Sequence, residues 1–180
     1  MPISPADLNR VLDALAARSH IALDDAVEPA LLAALRQRMH GLSAEAFHRA
    51  GVGRQSDHGL APAFRSDRIH WLEPSDPAEA AWLSWADDLR QRINAELFMG
   101  LHSYEAHFAH YAPGQRYGRH VDAFRGQANR VLSTVLYLND AWDADDGGEL
   151  LVYADPSCAD ASASLLPQPG RLVVFLSEDL

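Results

Sequence analysis

Apolar residues recur at helical spacing through the first part of the chain. Leu8, Val11, Leu12 and Leu15 fall on one face of a segment that Ser4 can cap. A second helix is predicted from Pro29, with Leu31, Leu32, Leu35 and Met39 along one side, and His20 to Val27 between the two has the look of a short strand. The strongest helix signal starts at Asp76-Pro77: proline suits the first helical position, and Asp76 with Glu79 three residues on spells a capping box. Trp82, Trp85, Leu89, Ile93 and Leu97 then form an apolar stripe ending at Gly100, a spacing that predicts core anchors against a sheet rather than a ligand cage. Residues 41–66 are rich in Gly, Ser, Pro and charge and predict a mobile loop, because Gly51-Val52-Gly53 has neither the leading strand nor the trailing Lys-Ser/Thr of a phosphate loop.

From Leu101 the period shortens. Tyr104, Ala106 and Phe108 alternate with Glu105 and His107, and three apolar runs follow at 131–138, 149–153 and 171–176. Turn signals separate them at Ala112-Pro113-Gly114, Arg125-Gly126, Asp146-Gly147-Gly148 and Pro167 to Gly170. In Asp-Gly-Gly-Glu, Gly147 and Gly148 are expected to serve a tight turn at positive φ rather than a site, and Gly170 likewise. Helices first and short strands after predict an α+β domain, a β-sandwich or barrel braced by N-terminal helices. Without internal repeat or linker, residues 1–180 are expected to form a single domain, 1–100 mainly helical support and 101–180 the β core.

Composition narrows the function. The formal net charge of −10 is the wrong sign for a protein that coats nucleic acid, which disfavours that class. The single cysteine, Cys158, excludes an internal disulfide and cannot by itself make a thiolate metal site, so a reducing, cytoplasmic compartment is expected. The N-terminus lacks the basic start and apolar stretch of a secretory signal, and no apolar run approaches bilayer length, so no membrane partner is expected.

One pair stands out chemically. In His120-Val121-Asp122 an imidazole and a carboxylate are two residues apart, and on an extended strand both would project to the same face. With a second His, that donor set makes the facial triad of non-haem Fe(II) oxygenases, which leaves positions open for substrates. Alone, the pair fits a solvated turn or an ordinary hydrogen-bonded couple equally well.

Its neighbours add the context. Tyr111-Ala-Pro-Gly-Gln-Arg-Tyr117-Gly-Arg-His120-Val-Asp122, Tyr137-Leu-Asn-Asp-Ala-Trp142, Asp146-Gly-Gly-Glu-Leu150 and Pro169-Gly-Arg-Leu-Val-Val-Phe-Leu-Ser177 occur in this order. Upstream stands Arg65-Ser-Asp67-Arg-Ile-His-Trp71. Together these blocks resemble the prolyl 4-hydroxylase branch of the 2-oxoglutarate- and Fe(II)-dependent dioxygenases, the upstream one resembling hypoxia-sensing prolyl hydroxylases and their bacterial relatives. The resemblance covers roughly residue 60 to the end. It implies a double-stranded β-helix (jelly-roll) core, and Fe(II), 2-oxoglutarate and O2 as cofactor and cosubstrates, with ascorbate as a further cofactor it allows. It implies His120 and Asp122 as metal ligands, Tyr111 and Tyr137 lining the 2-oxoglutarate site, Tyr117 and Arg130 toward the substrate, and a prolyl residue of a protein or peptide as that substrate. A simple half-buried strand tyrosine is the competing reading of Tyr137.

In that family, the Phe-Leu-Ser strand is followed by a distal iron-binding His and a basic residue that grips 2-oxoglutarate. Both are absent before Leu180. The expectation is a chain cut off before its last core strands, which in this form is incomplete for activity, rather than a natural short form. His107 and His110 have no spacing that suits a replacement ligand, and strand or pocket-rim roles are expected. The competing class is a catalytically incomplete jelly-roll binding module lacking the third iron ligand. Base demethylation on the same fold is disfavoured by the acidic charge, and a zinc hydrolase by the absence of His-Glu-x-x-His.

Overall fold

The computed structural model describes residues 1–50, 64–120, 130–155 and 157–177. Helix α1 (Pro5–Arg18) begins as the sequence predicts, with the Ser4 hydroxyl accepting the Asp7 amide at 3.1 Å. Strand β1 occupies only His20–Leu23, shorter than the 20–27 stretch expected, and α2 runs from Pro29 to Gly41. Part of the predicted loop is ordered differently: Ala44–Ala46 form a 3-10 turn and His48–Arg49 a two-residue strand, β2. The Gly51-Val52-Gly53 stretch lies outside the described residues. Next come β3 (Arg68–Trp71), α3 (Pro77–Leu97), β4 (His107–His110), β5 (Leu132–Leu136), β6 (Leu150–Val152), β7 (Ala163–Leu165) and β8 (Leu172–Leu176).

All described strand pairings are antiparallel. One sheet has the order β1-β8-β5, a second β2-β3-β4, and β6 pairs with β7. The chain is thus a mixed α+β fold. Strand β8 is central: Val174 stands opposite Ile21 on one side and Thr134 on the other. Leu172, Val173 and Val174 are all fully buried, so the strand is covered on both faces, which is why it reads as an unbroken apolar run. Each such side chain contributes about 1.5–3 kcal/mol by its removal from water.

Leu172 and Val174 face the helices, in one cluster with Val11, Leu15, Ile93 and the tryptophan pair. Trp82 and Trp85 are buried and stacked at 5.1 Å, the core role their spacing predicts. The opposite face of β5 and β8 carries Ser133 and Ser177, whose hydroxyls meet at 2.9 Å. Gly147 and Gly148 adopt φ of +71° and +74°, the turn expected of Asp-Gly-Gly-Glu, and the Trp142 indole N–H donates to the Gly147 carbonyl at 2.8 Å.

Two details at α3 depart from expectation. Its C-terminal left-handed residue is Phe98 (φ +52°), two residues before Gly100. The capping box is only half made: Asp76 accepts the amides of Ala78 and Glu79, but the Glu79 side chain turns inward. There, 1% exposed, it accepts from Arg38 Nε at 2.6 Å and from the Glu73 amide at 2.7 Å, with His70 Nε2 at 3.7 Å. A carboxylate buried this completely is stable only when matched, so one side chain ties α2, α3 and β3 together. Replacing Glu79 with Ala, which leaves the Glu73 amide without its acceptor and Arg38 with Asp76 at 3.1 Å as its carboxylate partner, is expected to cost about 1–3 kcal/mol in urea denaturation. Glu73→Ala, at an exposed side chain, should stay within about 0.5 kcal/mol of the parent.

Candidate functional site

The site is built where the strand leading into β3 meets the segment leading to His120. Arg65 and Asp67 are two residues apart on extended backbone, which turns both side chains to one face. Arg65 Nε and Nη2 donate to the two carboxylate oxygens of Asp67 at 2.8 and 3.1 Å, a bidentate fork around a side chain only 1% exposed. Arg65 also forms an antiparallel bridge with Tyr117. The Gly118 amide donates to the Phe64 carbonyl, the Ser66 amide to the Arg116 carbonyl, and the Arg116 amide to the Ser66 hydroxyl. These bonds hold residues 116–118 against 64–66. Gly118 is required for so close an approach, since a Cβ there would lie 2.7 and 2.8 Å from Phe64 ring carbons.

On this base stands a column of flat groups. The Arg65 guanidinium carbon lies 4.4 Å from the Tyr117 ring centroid, and Tyr117 stacks on His120 with centroids 3.7 Å apart and planes at 21°. Phe64 meets both rings edge-on, at 5.8 Å from Tyr117 and 6.4 Å from His120. His120 Nδ1 lies 2.8 Å from the Gly118 carbonyl. A carbonyl can only accept, so the proton sits on Nδ1 and the ring's lone pair on Nε2, the form an imidazole takes as a metal ligand. His120 is oriented by this bond and the stack; the extended geometry expected for the His-x-Asp pair falls on residues 121 and 122, outside the described residues. Asp122 lies outside the described residues.

Tyr111 follows β4 and Tyr137 follows β5, so the two tyrosines come from different sheets. Their phenols are nonetheless in electrostatic reach of each other, and Tyr111 is also in reach of Asp67, Arg65 and Tyr117. Burial pushes both phenols up, Tyr137 to about 12 and Tyr111 further. Tyr111 is 43% exposed as a residue, and desolvation is the largest cause of its upward shift. Both are therefore neutral O–H donors at physiological pH. Tyr137 also continues the β5–β8 ladder, its amide donating to the Arg171 carbonyl and its carbonyl accepting from Gly170.

Arg130 approaches Glu105 at 3.9 Å and is in reach of His107. His107 faces the site, edge-on to Trp71 at 5.0 Å, whereas His110 packs on Phe47 away from it. Burial lowers the His107 pKa, with Arg65 pushing the same way, Asp67 opposing, Arg130 lowering it and Glu105 raising it. Arg119, next to His120, donates to the carbonyls of Cys158 and Asp155 and lies 3.6 Å over the Tyr153 ring. Among the described residues no three His, Cys, Asp or Glu side chains converge as a metal cage. The sequence presents Arg65 and Asp67 only as part of a motif and allows His107 a strand or pocket-rim role; the structure puts His107 in β4, in reach of Arg65, Asp67 and Arg130. The two-residue spacing of the opposite charges was the available signal.

The match to known proteins agrees with this geometry. The model of the 2OG-Fe(II) oxygenase superfamily matches residues 106–180. A crystal structure of a Pseudomonas putida prolyl-4-hydroxylase superposes with a TM-score of 0.82 at 36% identity, over 96% of this chain and 87% of that one. A Trichoplax adhaerens prolyl hydroxylase in complex with a hypoxia-inducible-factor oxygen degradation domain peptide fragment shares the fold, with a TM-score of 0.73 at 22% identity over 96% and 79% of the chains. Comparison with curated protein sequences returns no match. The chain belongs to the 2OG-Fe(II) oxygenase superfamily, whose reaction uses Fe(II), 2-oxoglutarate and O2. Within it, the protein is a 2-oxoglutarate-dependent dioxygenase of the prolyl-4-hydroxylase-like branch.

Two measurements probe the site's construction. Gly118→Ala should displace the Phe64 ring and lower stability by about 1–3 kcal/mol in chemical denaturation. A histidine held below its ordinary value of 6.5 binds protons more readily unfolded, so its contribution to stability is present above that pH and lost as pH falls below it. The parent should therefore lose more stability than His107→Gln between about pH 7.5 and about pH 5.5. Equal losses would show that His107 is not a source of the acid sensitivity.

Proposed function

We propose that the protein hydroxylates a C–H bond of a prolyl residue in a protein or peptide, on a jelly-roll core. In this reading His120 and Asp122 are two of the ligands of Fe(II), Tyr111 and Tyr137 bind 2-oxoglutarate, and Tyr117 and Arg130 contact the substrate. The observation that carries it is His120 itself: its Nδ1 lies 2.8 Å from the Gly118 carbonyl and its ring is stacked on Tyr117, so the imidazole is held in one orientation, in the tautomer suited to metal binding through Nε2. A neutral imidazole and a carboxylate two residues on fit Fe(II) as a donor set. Bound there, Fe(II) would supply O2 activation coupled to decarboxylation of 2-oxoglutarate to succinate and CO2.

The chain's own residues do the rest. The phenol O–H groups of Tyr137 and Tyr111 stay protonated through the physiological range and so can donate to a carboxylate of the cosubstrate without adding negative charge beside it. The Arg65–Asp67 fork supplies no net charge, and Arg130, near Glu105, is the residue this reading places toward the substrate. The prolyl assignment is supported by the 36% identity to the Pseudomonas putida prolyl-4-hydroxylase, and that relationship disfavours the binding-module alternative. A cytoplasmic setting, consistent with the exposed free thiol of Cys158, and ascorbate as reductant complete the proposal. No helix among the described residues is long and apolar enough to cross a membrane.

In protein that also carries the second His and the basic residue that the family places after the Phe-Leu-Ser strand, Fe(II), 2-oxoglutarate and a proline-containing peptide should give succinate release in step with peptide hydroxylation, and His120→Ala should abolish both. Turnover surviving in His120→Ala would refute the ligand assignment. Tyr137→Phe should raise the KM for 2-oxoglutarate about tenfold, the equivalent of one hydrogen bond to a charged group. An unchanged KM would reduce Tyr137 to a packing residue.

A further inference from the structure

Arg65 and Asp67 are built with more care than a surface ion pair. The carboxylate is fully buried and both its oxygens are taken by one guanidinium. A fork of this kind removes the rotational freedom that a guanidinium normally has, so the plane of the Arg65 head is fixed by Asp67. That plane lies under the Tyr117 ring, and the Tyr117 ring lies under the His120 imidazole at stacking distance. Phe64, carried by the residue before Arg65, closes the edge of both rings.

The direction in which His120 presents Nε2 depends on rotation about its side-chain torsions. The Gly118 carbonyl fixes one point of the ring and the stack fixes its plane. Among the described residues His120 belongs to no strand, so the constraints on its ring are the carbonyl bond and the stack.

We propose that Arg65 and Asp67 are positioning residues that act through Tyr117 to set the plane of His120 and so aim its Nε2 at the metal. The inference rests on the reading of His120 as an iron ligand. It gives the Arg-x-Asp spacing a role distinct from substrate contact: a rigid footing for an imidazole on irregular backbone. It also gives Tyr117 a second duty. Its ring is committed to Arg65 on one side and His120 on the other, whatever the hydroxyl end of the side chain meets.

Two observables test it. One is Mn(II) affinity, followed by the electron paramagnetic resonance signal of the free ion. The other is proton–nitrogen NMR of the histidine rings in metal-free protein, with the His120 signals identified as those lost in His120→Ala. Loss of an outer-shell partner typically weakens metal binding about 10–100-fold. Tyr117→Leu and Arg65→Lys are expected to weaken Mn(II) binding about tenfold and to turn the His120 pattern from a single Nδ1–H tautomer into a tautomer average. Tyr117→Phe retains the stacking ring and should remain within about twofold of the parent.

Parental affinity and an unmoved His120 pattern in both Tyr117→Leu and Arg65→Lys would overturn the proposal. A ring pattern that changes with no change in Mn(II) affinity would also overturn the positioning role. If Arg65→Lys fails to fold, as judged by circular dichroism, Tyr117→Leu at its half-buried position decides the matter. Should His120→Ala bind Mn(II) as the parent does, the ligand reading fails, while the ring spectra still report whether the column orients the imidazole.

Discussion

A carboxylate removed from water has few ways to remain charged, and the bidentate pairing of Asp67 with Arg65 is one of them. Much of the site follows from satisfying it. The fork needs extended backbone at 65–67, and extended backbone there continues into β3 on one side and bridges to Tyr117 on the other. That bridge brings the turn before His120 up to the second sheet. The geometry of the imidazole is therefore inherited from an ion pair more than fifty residues upstream in the chain. Breaking one partner would cost more than the pair contributes, because the other would be left charged and dry.

Glu79 repeats the solution in the supporting layer. There too a buried carboxylate is matched by one arginine, with a backbone amide taking the second oxygen. The two acids sit at opposite ends of β3: Asp67 immediately before it, and Glu79 beyond its far end, accepting the amide of Glu73 and lying near His70. Strand β3 is short and pairs with a two-residue neighbour on one side, so its ladder alone is a weak anchor. Charge pairing at each end places it between the helices and the site.

How much of this could be read from the sequence differs by element for physical reasons. The three helices announce themselves because their start signals are local: Ser4 before Pro5, Pro29, and Asp76 before Pro77 all act within one turn. Strand β8 is legible as an apolar run because it is buried on both faces. Strands β2, β3 and β7 carry no such run, as their existence depends on partners far away in the chain. The same divide holds at the site. The His120-x-Asp122 spacing and the tyrosines around it stand out as chemistry and as a family pattern. The Arg65–Tyr117–His120 contacts are non-local and join irregular segments, so no periodicity encodes them. The half-made capping box shows the limit of a local rule: Glu79 has the right spacing for Asp76, but the Arg38 guanidinium and the Glu73 amide take its carboxylate oxygens instead of the Asp76 amide.

Arg119 links the site to a part of the molecule that would otherwise be free to vary. Its guanidinium holds the carbonyls of Asp155 and Cys158 and rests on Tyr153, so the loop between β6 and β7 is fastened one residue from His120. Surface hairpin loops ordinarily tolerate insertions and changes of length during divergence. This one has lost that freedom, because lengthening it between Tyr153 and Cys158 would move the acceptors and shift a strap attached beside the imidazole. Variation in loop length among descendants of this chain is thus channelled to the Cys158–Ser162 side of the hairpin. A designer seeking an attachment point for a tag or a second domain would find the same boundary.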